Sequence, residues 1–547
     1  MESLIRQNAL SCGATEPSRF FGKGSLEELL MGFSKLTRLA RASTIRWMFG
    51  LAAVVLVMTM AGQLFAQTAP ATTAAATAAV AAAAPAATTT APAPVTGAWA
   101  QQTYDTGSTA WMLAATALVM VMMPGLALYY GGIVRKKNFL ATMMTSYSAL
   151  GVIIVQWFLF GYMLSFGTSS NPMVQKFIGW DPSRLMMLGL DPINAITGVA
   201  GAPGGGQFPV PETIFNMFQA MFAVITPALI AGSIAERMKY GAWCLFILLW
   251  GTLVYDPLAH FIWGNGWLAQ LGAVDFAGGT VVHISSGVSG LVAAIMIGKR
   301  KGFPNVIQPN SLFNTLTGAG LLWFGWYGFN AGSANAANGL ACAAFLNTTV
   351  ATAMAGLAWN FAEWMHHRRA TSLGMASGFV AGLVAITPAC GYVALWSSPI
   401  IGLAAGIVCY WGAQIKTIFG YDDALDAFGV HAIGGFLGAV LTGVFASTAL
   451  SYGLAGPTNA AGVPQGVAGW IDGNFHQVLL QILAASNAVV YAGVVTAIII
   501  FVMRLFMEIR VSEQVEIEGL DLGIHGEVGL DTNTFPEQSV AMPFGAS

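Results

Sequence analysis

The sequence predicts an all-α polytopic membrane protein with eleven transmembrane helices, ten of them in a 5+5 inverted repeat and one extra at the end. Three observations predict it. Of 547 residues 56% are hydrophobic and only 8% are charged, against about 25% charged in ordinary soluble domains. Eleven apolar stretches follow one another, with basic residues gathered in alternate loops. Asp275 precedes His283 by eight residues and Asp423 precedes His431 by the same eight, and both histidines stand in the pattern Val-His-x-x-x-Gly-x-x-Gly, from Val282 to Gly290 and from Val430 to Gly438.

Composition also excludes several classes. A net charge of −2 without a long Lys/Arg run gives no basic face for nucleic acid. The five cysteines are odd in number and have no Cys-x-x-Cys spacing, so neither a disulfide framework nor a zinc site follows. Without a Cys-x-x-Cys-His element, nothing supports the two histidines as haem ligands. The 65 glycines point to closely packed membrane helices, because small residues let backbones approach.

In chain order, residues 1–66 read as a signal peptide with a long amino-terminal region. Lys35, Arg38, Arg41 and Arg46 lead into an apolar run from Trp47 to Ala61, which is short for a span of about 20 residues. Met31 would give a more ordinary length, so residues 1–30 are expected to lie upstream of the true start. Residues 67–97, almost entirely Ala, Thr and Pro, read as an exported linker. Residues 98–510 form the membrane domain and 511–547 a cytoplasmic tail.

The apolar segments are 108–132, 139–166, 211–235, 241–263, 277–298, 311–330, 339–365, 371–390, 397–417, 425–447 and 476–506. Arg135 to Lys137, Arg237 and Lys239, Lys299 to Lys301, Arg368 and Arg369, Lys416, then Arg504 and Arg510 all follow odd-numbered segments. The even-numbered loops hold only Lys176 and Arg184. By the positive-inside rule the mature chain begins outside and ends in the cytoplasm. Segments one to five and six to ten then run in opposite senses, the plan of many transporters. Eight helical residues place each histidine about 12 Å from its own membrane face, so in a core of about 30 Å the two imidazoles can meet near the midplane. A lone membrane histidine is often helix–helix glue; the matched pair argues for function.

Several long stretches resemble the ammonium transporter family (Amt/Mep/Rh), and specifically its bacterial Amt branch. They are Pro124 to Gly132, Ala259-His-Phe-Ile-Trp-Gly264, Asp275 to His283, Gly325 to Ser333, Thr387-Pro-Ala-Cys-Gly391, Phe428-Gly-Val-His431 and Gly519-Leu-Asp-x-x-x-His-Gly-Glu527. The resemblance covers residue 98 to about residue 527. It implies a homotrimer of the bacterial inner membrane with a pore through each subunit, no enzymatic activity and no cofactor or metal. It implies an outer ammonium-binding site from Phe222, Trp263 and Ser333, a gate from Phe222 and Phe329, a twin-histidine pair from His283 and His431, Trp326 lining the pore, and Asp275 as a structural residue near the outer site. The tail is expected to contact neighbouring subunits, and a PII signalling protein is an expected cytoplasmic partner.

The residue chemistry suits these roles. Ammonium must shed water to enter an apolar pore; aromatic faces replace part of it at about 0.5–2 kcal/mol per contact, and a serine oxygen accepts an N–H. An isolated charge at the midplane is disfavoured, so at least one imidazole stays neutral and the pair is expected to share one N–H between ring nitrogens. The expected sequence is ammonium binding outside, deprotonation, passage of ammonia, and separate travel of the proton along the pair. The alternatives are an ammonium sensor acting through a PII-type partner and a passive ammonia channel. Asp275 is expected to cap a helix or brace the outer loop. Asp256, beside Pro257, is expected to satisfy backbone donors at a proline kink.

Overall fold

The computed structural model describes residues 104–190, 210–304, 308–451 and 466–529. The expected signal peptide and linker, and most of the tail beyond Glu527, lie outside them. The described residues are helical with no strand beyond two isolated bridges. Helices occupy all eleven predicted stretches, and among the described residues nine spans are long and apolar enough to cross a membrane by length and composition.

The helices are α1 (Thr106–Ile133), α2 (Phe139–Gln156, continued by Trp157–Gly161 and Tyr162–Phe166), α3 (Glu212–Ile234) and α4 (Tyr240–Trp250, Gly251–Tyr255 and Asp256–Ile262). The first half ends with α5 (Gly279–Ile284 and Ser285–Ile297). The second comprises α6 (Leu312–Gly332), α7 (Gly339–His367), α8 (Ser372–Ile386), α9 (Ser398–Phe419) and α10 (Phe428–Ala432 and Ile433–Phe445). The final helix is α11 (Phe475–Phe506). The two outside the nine are α8, at 15 residues, and α6, whose glycines, asparagines and threonines dilute its hydropathy.

Polar residues set the helix starts. Asp105 accepts from Ser108 N at 2.6 Å, Ser311 from Asn314 N, Asn338 from Ala341 N and Thr371 from Gly374 N, each satisfying an amide that lacks a partner in the first turn. The packing pairs matching positions of the two halves: α1 lies along α6, α2 against α4 as α7 against α9, and each of α5 and α10 crosses the histidine-bearing turn of the other.

Four of the membrane helices contain a π-helical turn: Trp157–Gly161 in α2, Gly251–Tyr255 in α4, Gly279–Ile284 in α5 and Phe428–Ala432 in α10. Such turns insert a residue, redirect the side chains that follow and collect at functional positions. Here two of them carry His283 and His431.

The recurring glycine four residues after each histidine has a packing reason. A Cβ on Gly287 would collide with the Ala432 backbone nitrogen, and one on Gly435 would lie 2.7 Å from the Gly279 carbonyl oxygen and 3.1 Å from His283 Cβ. Each half therefore keeps its own glycine at the crossing. Gly287→Ala is expected to cost about 1–3 kcal/mol by overpacking, whereas Gly151→Ala, with nothing near the added Cβ, is expected to be neutral or stabilising. Thermal unfolding in detergent compares them, and equal midpoints would reject the crossing as a constraint.

At the end of the bundle that carries the basic loops, several charges are buried in pairs. Buried Arg237 donates to Asp422 Oδ2 at 2.7 Å, Arg300 binds the same carboxylate, and Arg135 binds Glu236 at 2.8 Å. Burial pushes the Asp422 and Glu236 carboxyls up, but the guanidiniums of Arg300, Arg237 and Arg135 outweigh it and hold both below the usual carboxylate range. The tail docks here. Asp521 accepts from Leu140 N and Ala141 N at 3.1 and 2.8 Å, capping α2, and Leu520 N donates to Asn138.

Candidate functional site

The aromatic residues singled out from sequence fall into one file through the helix core. Phe222 in α3 and Phe329 in α6 stack face to face, with centroids 4.1 Å apart and planes 16° apart. Trp263, capping the end of α4, meets Phe222 edge-on at 5.9 Å. Below the stacked pair, Phe329 lies 6.1 Å from His283, and Trp326 stacks on His283 at 5.3 Å. His431 follows, its ring 5.3 Å from that of His283 at 22°. All six rings are buried.

Their surroundings hold them at fixed angles. Trp263 Nε1 donates to the Asp275 carbonyl oxygen at 2.8 Å. Trp326 Nε1 donates to Thr387 Oγ1 at 2.9 Å, and Asn330, on the same helix as Trp326, donates to Thr348 Oγ1 of α7 at 2.9 Å. Ser333, at the end of α6, gives its proton to the Phe329 carbonyl oxygen at 2.8 Å. Its oxygen lone pairs are left as acceptors.

Asp275 accepts from four consecutive backbone amides, those of Gly278, Gly279, Thr280 and Val281, at 2.7–3.1 Å. The left-handed Gly278 (φ 112°) turns the chain so that these amides converge on the carboxylate. The acid thus anchors the π-helical turn that bears His283. Asp423, its counterpart in sequence, accepts only from Phe428 N among the amides of its own turn, at 2.8 Å.

Two expectations from sequence are corrected. The imidazoles do not share an N–H: His283 Nδ1 and Nε2 and His431 Nδ1 are buried without any hydrogen-bond partner, with the ring centroids 5.3 Å apart and the planes inclined by 22°. Asp256 does not satisfy backbone donors. It follows a π-helical turn rather than a simple proline kink, and its partners are the side chains of Gln156 and Ser165.

Sequence reading also passed over residues that border the histidines. A cavity lined by His283, His431, Trp326 and Phe329 is closed on its other sides by Tyr129, Tyr130, Leu126 and Leu229, among others. Both tyrosines stand in the quoted Pro124 to Gly132 stretch, where two adjacent phenols in an apolar helix were the available signal.

A buried file of aromatic rings ending at imidazole nitrogens without partners, inside a bundle of membrane-length helices, defines a multi-pass membrane transport protein. The model of the Ammonium Transporter Family matches residues 110–530, and the chain belongs to that family. It is 46% identical over 422 residues to the ammonium transporter of Bacillus subtilis, covering 77% of this chain and 98% of the relative. It is 47% identical over 425 residues to that of Aquifex aeolicus, covering 77% and 93%. Among solved structures, Saccharomyces cerevisiae Mep2 superposes with a TM-score of 0.68 at 34% identity, covering 75% of this chain and 89% of that one. A structure described as a sensor Amt protein matches with a TM-score of 0.66 at 26% identity, covering 76% and 98%.

Proposed function

We propose that this chain carries ammonium across the bacterial inner membrane by recruiting the cation outside, removing its proton and passing ammonia along the ring file. The observation that carries this reading is the set of buried imidazole nitrogens without protein partners at the end of the file. A buried polar atom left unpaired costs about 1–3 kcal/mol, and a small species able to donate and accept hydrogen bonds would repay it. Ammonia is such a species.

In this reading Trp263 and Phe222 offer aromatic faces to the cation and Ser333 Oγ accepts one of its N–H bonds. Potassium has no N–H to donate, so it forfeits that contact. The 4.1 Å Phe222–Phe329 stack is the closed gate, which a rotation of either ring opens. Beyond it Trp326 and the histidines accept ammonia in turn. Since the rings are not bonded to one another, the proton crosses from His283 to His431 through a bridging molecule or a ring rotation. The roles of 1–66 as a signal peptide, 67–97 as an exported linker, 98–510 as the membrane domain and 511–547 as a cytoplasmic tail belong to the same proposal, with the mature amino terminus outside and a homotrimer as the assembly.

A second reading, an ammonium sensor working through a cytoplasmic PII-type protein, draws on the likeness to the sensor Amt structure. Purified protein alone in proteoliposomes separates the two. An ammonium jump is expected to give a current that potassium does not. No flux from correctly inserted protein would favour the sensor, and collapse of an imposed pH gradient without current would favour a passive ammonia channel.

A further inference from the structure

Helix α4 carries an acid and a base that the transport path does not use. Asp256 and His260 lie four residues apart and share one helix face, and both are 0% exposed. Both reach the same residue of α2. The Asp256 carboxylate accepts from the Ser165 hydroxyl at 3.3 Å, and His260 Nδ1 lies 3.0 Å from the Ser165 carbonyl oxygen. On the far sides, Asp256 accepts from Gln156 Nε2 at 2.6 Å, and His260 Nε2 lies 2.7 Å from the Gln175 carbonyl oxygen.

These partners decide the charge of the ring. A carbonyl oxygen only accepts, and a neutral imidazole has one N–H and one lone pair. With a carbonyl oxygen at each nitrogen, a neutral ring would turn one lone pair against another at 3.0 Å or less. An imidazolium donates to both. Gln175 Nε2, which donates one N–H to the Gly264 carbonyl oxygen at 3.0 Å, could offer its second to His260 Nε2 only from 3.4 Å, whereas the Gln175 carbonyl oxygen stands at 2.7 Å and is the closer partner. A cation this deeply buried requires a nearby anion, and Asp256 stands one turn away. Its short contact with Gln156 suits a charge-assisted hydrogen bond. Tyr255 and Tyr491, both phenols, also lie within electrostatic reach of Asp256.

We propose that Asp256 and His260 form a buried carboxylate–imidazolium pair that clamps the outer ends of α2 and α4 and thereby sets the position of Trp263. His260 holds Gln175, Gln175 holds the Gly264 carbonyl, and Gly264 directly follows Trp263. Glycine is needed at 264 because a Cβ there would collide with the Ser165 carbonyl and the His260 ring. The two are positioning residues, and their effect on transport rests on the reading of Trp263 as part of the ammonium-recruiting site.

Nitrogen NMR of the full chain, labelled at histidine and reconstituted in lipid, reads the charge directly. The His260 signal is assigned by its loss in His260→Gln or by difference from variants lacking the other histidines. Two protonated ring nitrogens are expected near neutral pH, with conversion to a neutral tautomer in Asp256→Asn. A neutral ring in the unaltered protein, or an imidazolium that Asp256→Asn leaves in place, overturns the pair. In transport, Asp256→Asn is expected to raise the ammonium concentration for half-maximal current several-fold while largely sparing the maximum, the same shift expected of Trp263→Ala. If Trp263→Ala shifts half-saturation and Asp256→Asn does not, the positioning role is wrong. If Trp263→Ala itself causes no shift, the recruitment reading fails, and the NMR result still decides the pair.

Discussion

His283→Ala is expected to abolish ammonium-driven current while the protein still inserts and assembles. The two halves of that expectation rest on different facts. Neither ring nitrogen has a protein partner, so removing the ring breaks no hydrogen bond and the cost is packing against Trp326, Phe329 and His431. That is a loss of roughly 2 kcal/mol or somewhat more for a buried large-to-small change. The functional loss should be far larger, since a positioned group that takes and gives protons is worth about 100-fold to 10,000-fold. Current on proteoliposomes, normalised to inserted protein, measures it. Uptake of ammonia that persists without current would show that the pore still conducts but no longer couples charge. An unaltered current would remove the relay role, and His431→Ala repeats the test from the other half.

Much of this site was legible in the sequence because its key residues are chemically out of place. A histidine or aspartate in an apolar segment stands out by its solvation cost alone, and the repeated Asp-x7-His frame tied the two halves together before any coordinates. The positions of the helices were legible for a similar reason, as long apolar stretches stand apart from the charged loops between them. What could not be read was local geometry. A π-helical turn leaves no clear periodic trace over five or six residues, so the relative setting of the two histidine rings, and the lack of a shared hydrogen bond between them, were not foreseeable. The partners of Asp256 were hidden for another reason: Gln156 and Ser165 lie on a different helix, about a hundred residues away in sequence. Nor could one sequence tell that Tyr129 and Tyr130 close the cavity beside the histidines.

The equal spacing of the two aspartates also concealed an inequality that can be measured. Asp275→Ala is expected to remove most of the folded protein, and Asp423→Ala considerably less. Alanine at 275 leaves the four amides of Gly278 to Val281 buried without an acceptor. At about 1–3 kcal/mol for each orphaned donor, the total reaches a large share of the 5–15 kcal/mol by which proteins are typically stable. The same loss frees the turn that carries His283 and, through the Asp275 backbone, the anchor of Trp263. Alanine at 423 orphans the Phe428 amide, whereas the Asp423 Oδ1 it also removes has no hydrogen-bond partner. The difference originates in Gly278 and Gly279, which let the chain fold over the first carboxylate; after Asp423 the chain instead passes through Asp426, itself left-handed at φ 59° and paired with Lys416. Asp275→Asn should fall between, because its amide keeps one acceptor oxygen but presents an N–H to the remaining donors. Fluorescence-detected size exclusion and thermal unfolding of the three variants give the ranking, and equal stability for Asp275→Ala and Asp423→Ala would mean that the four-amide cradle does not hold the turn at the start of α5.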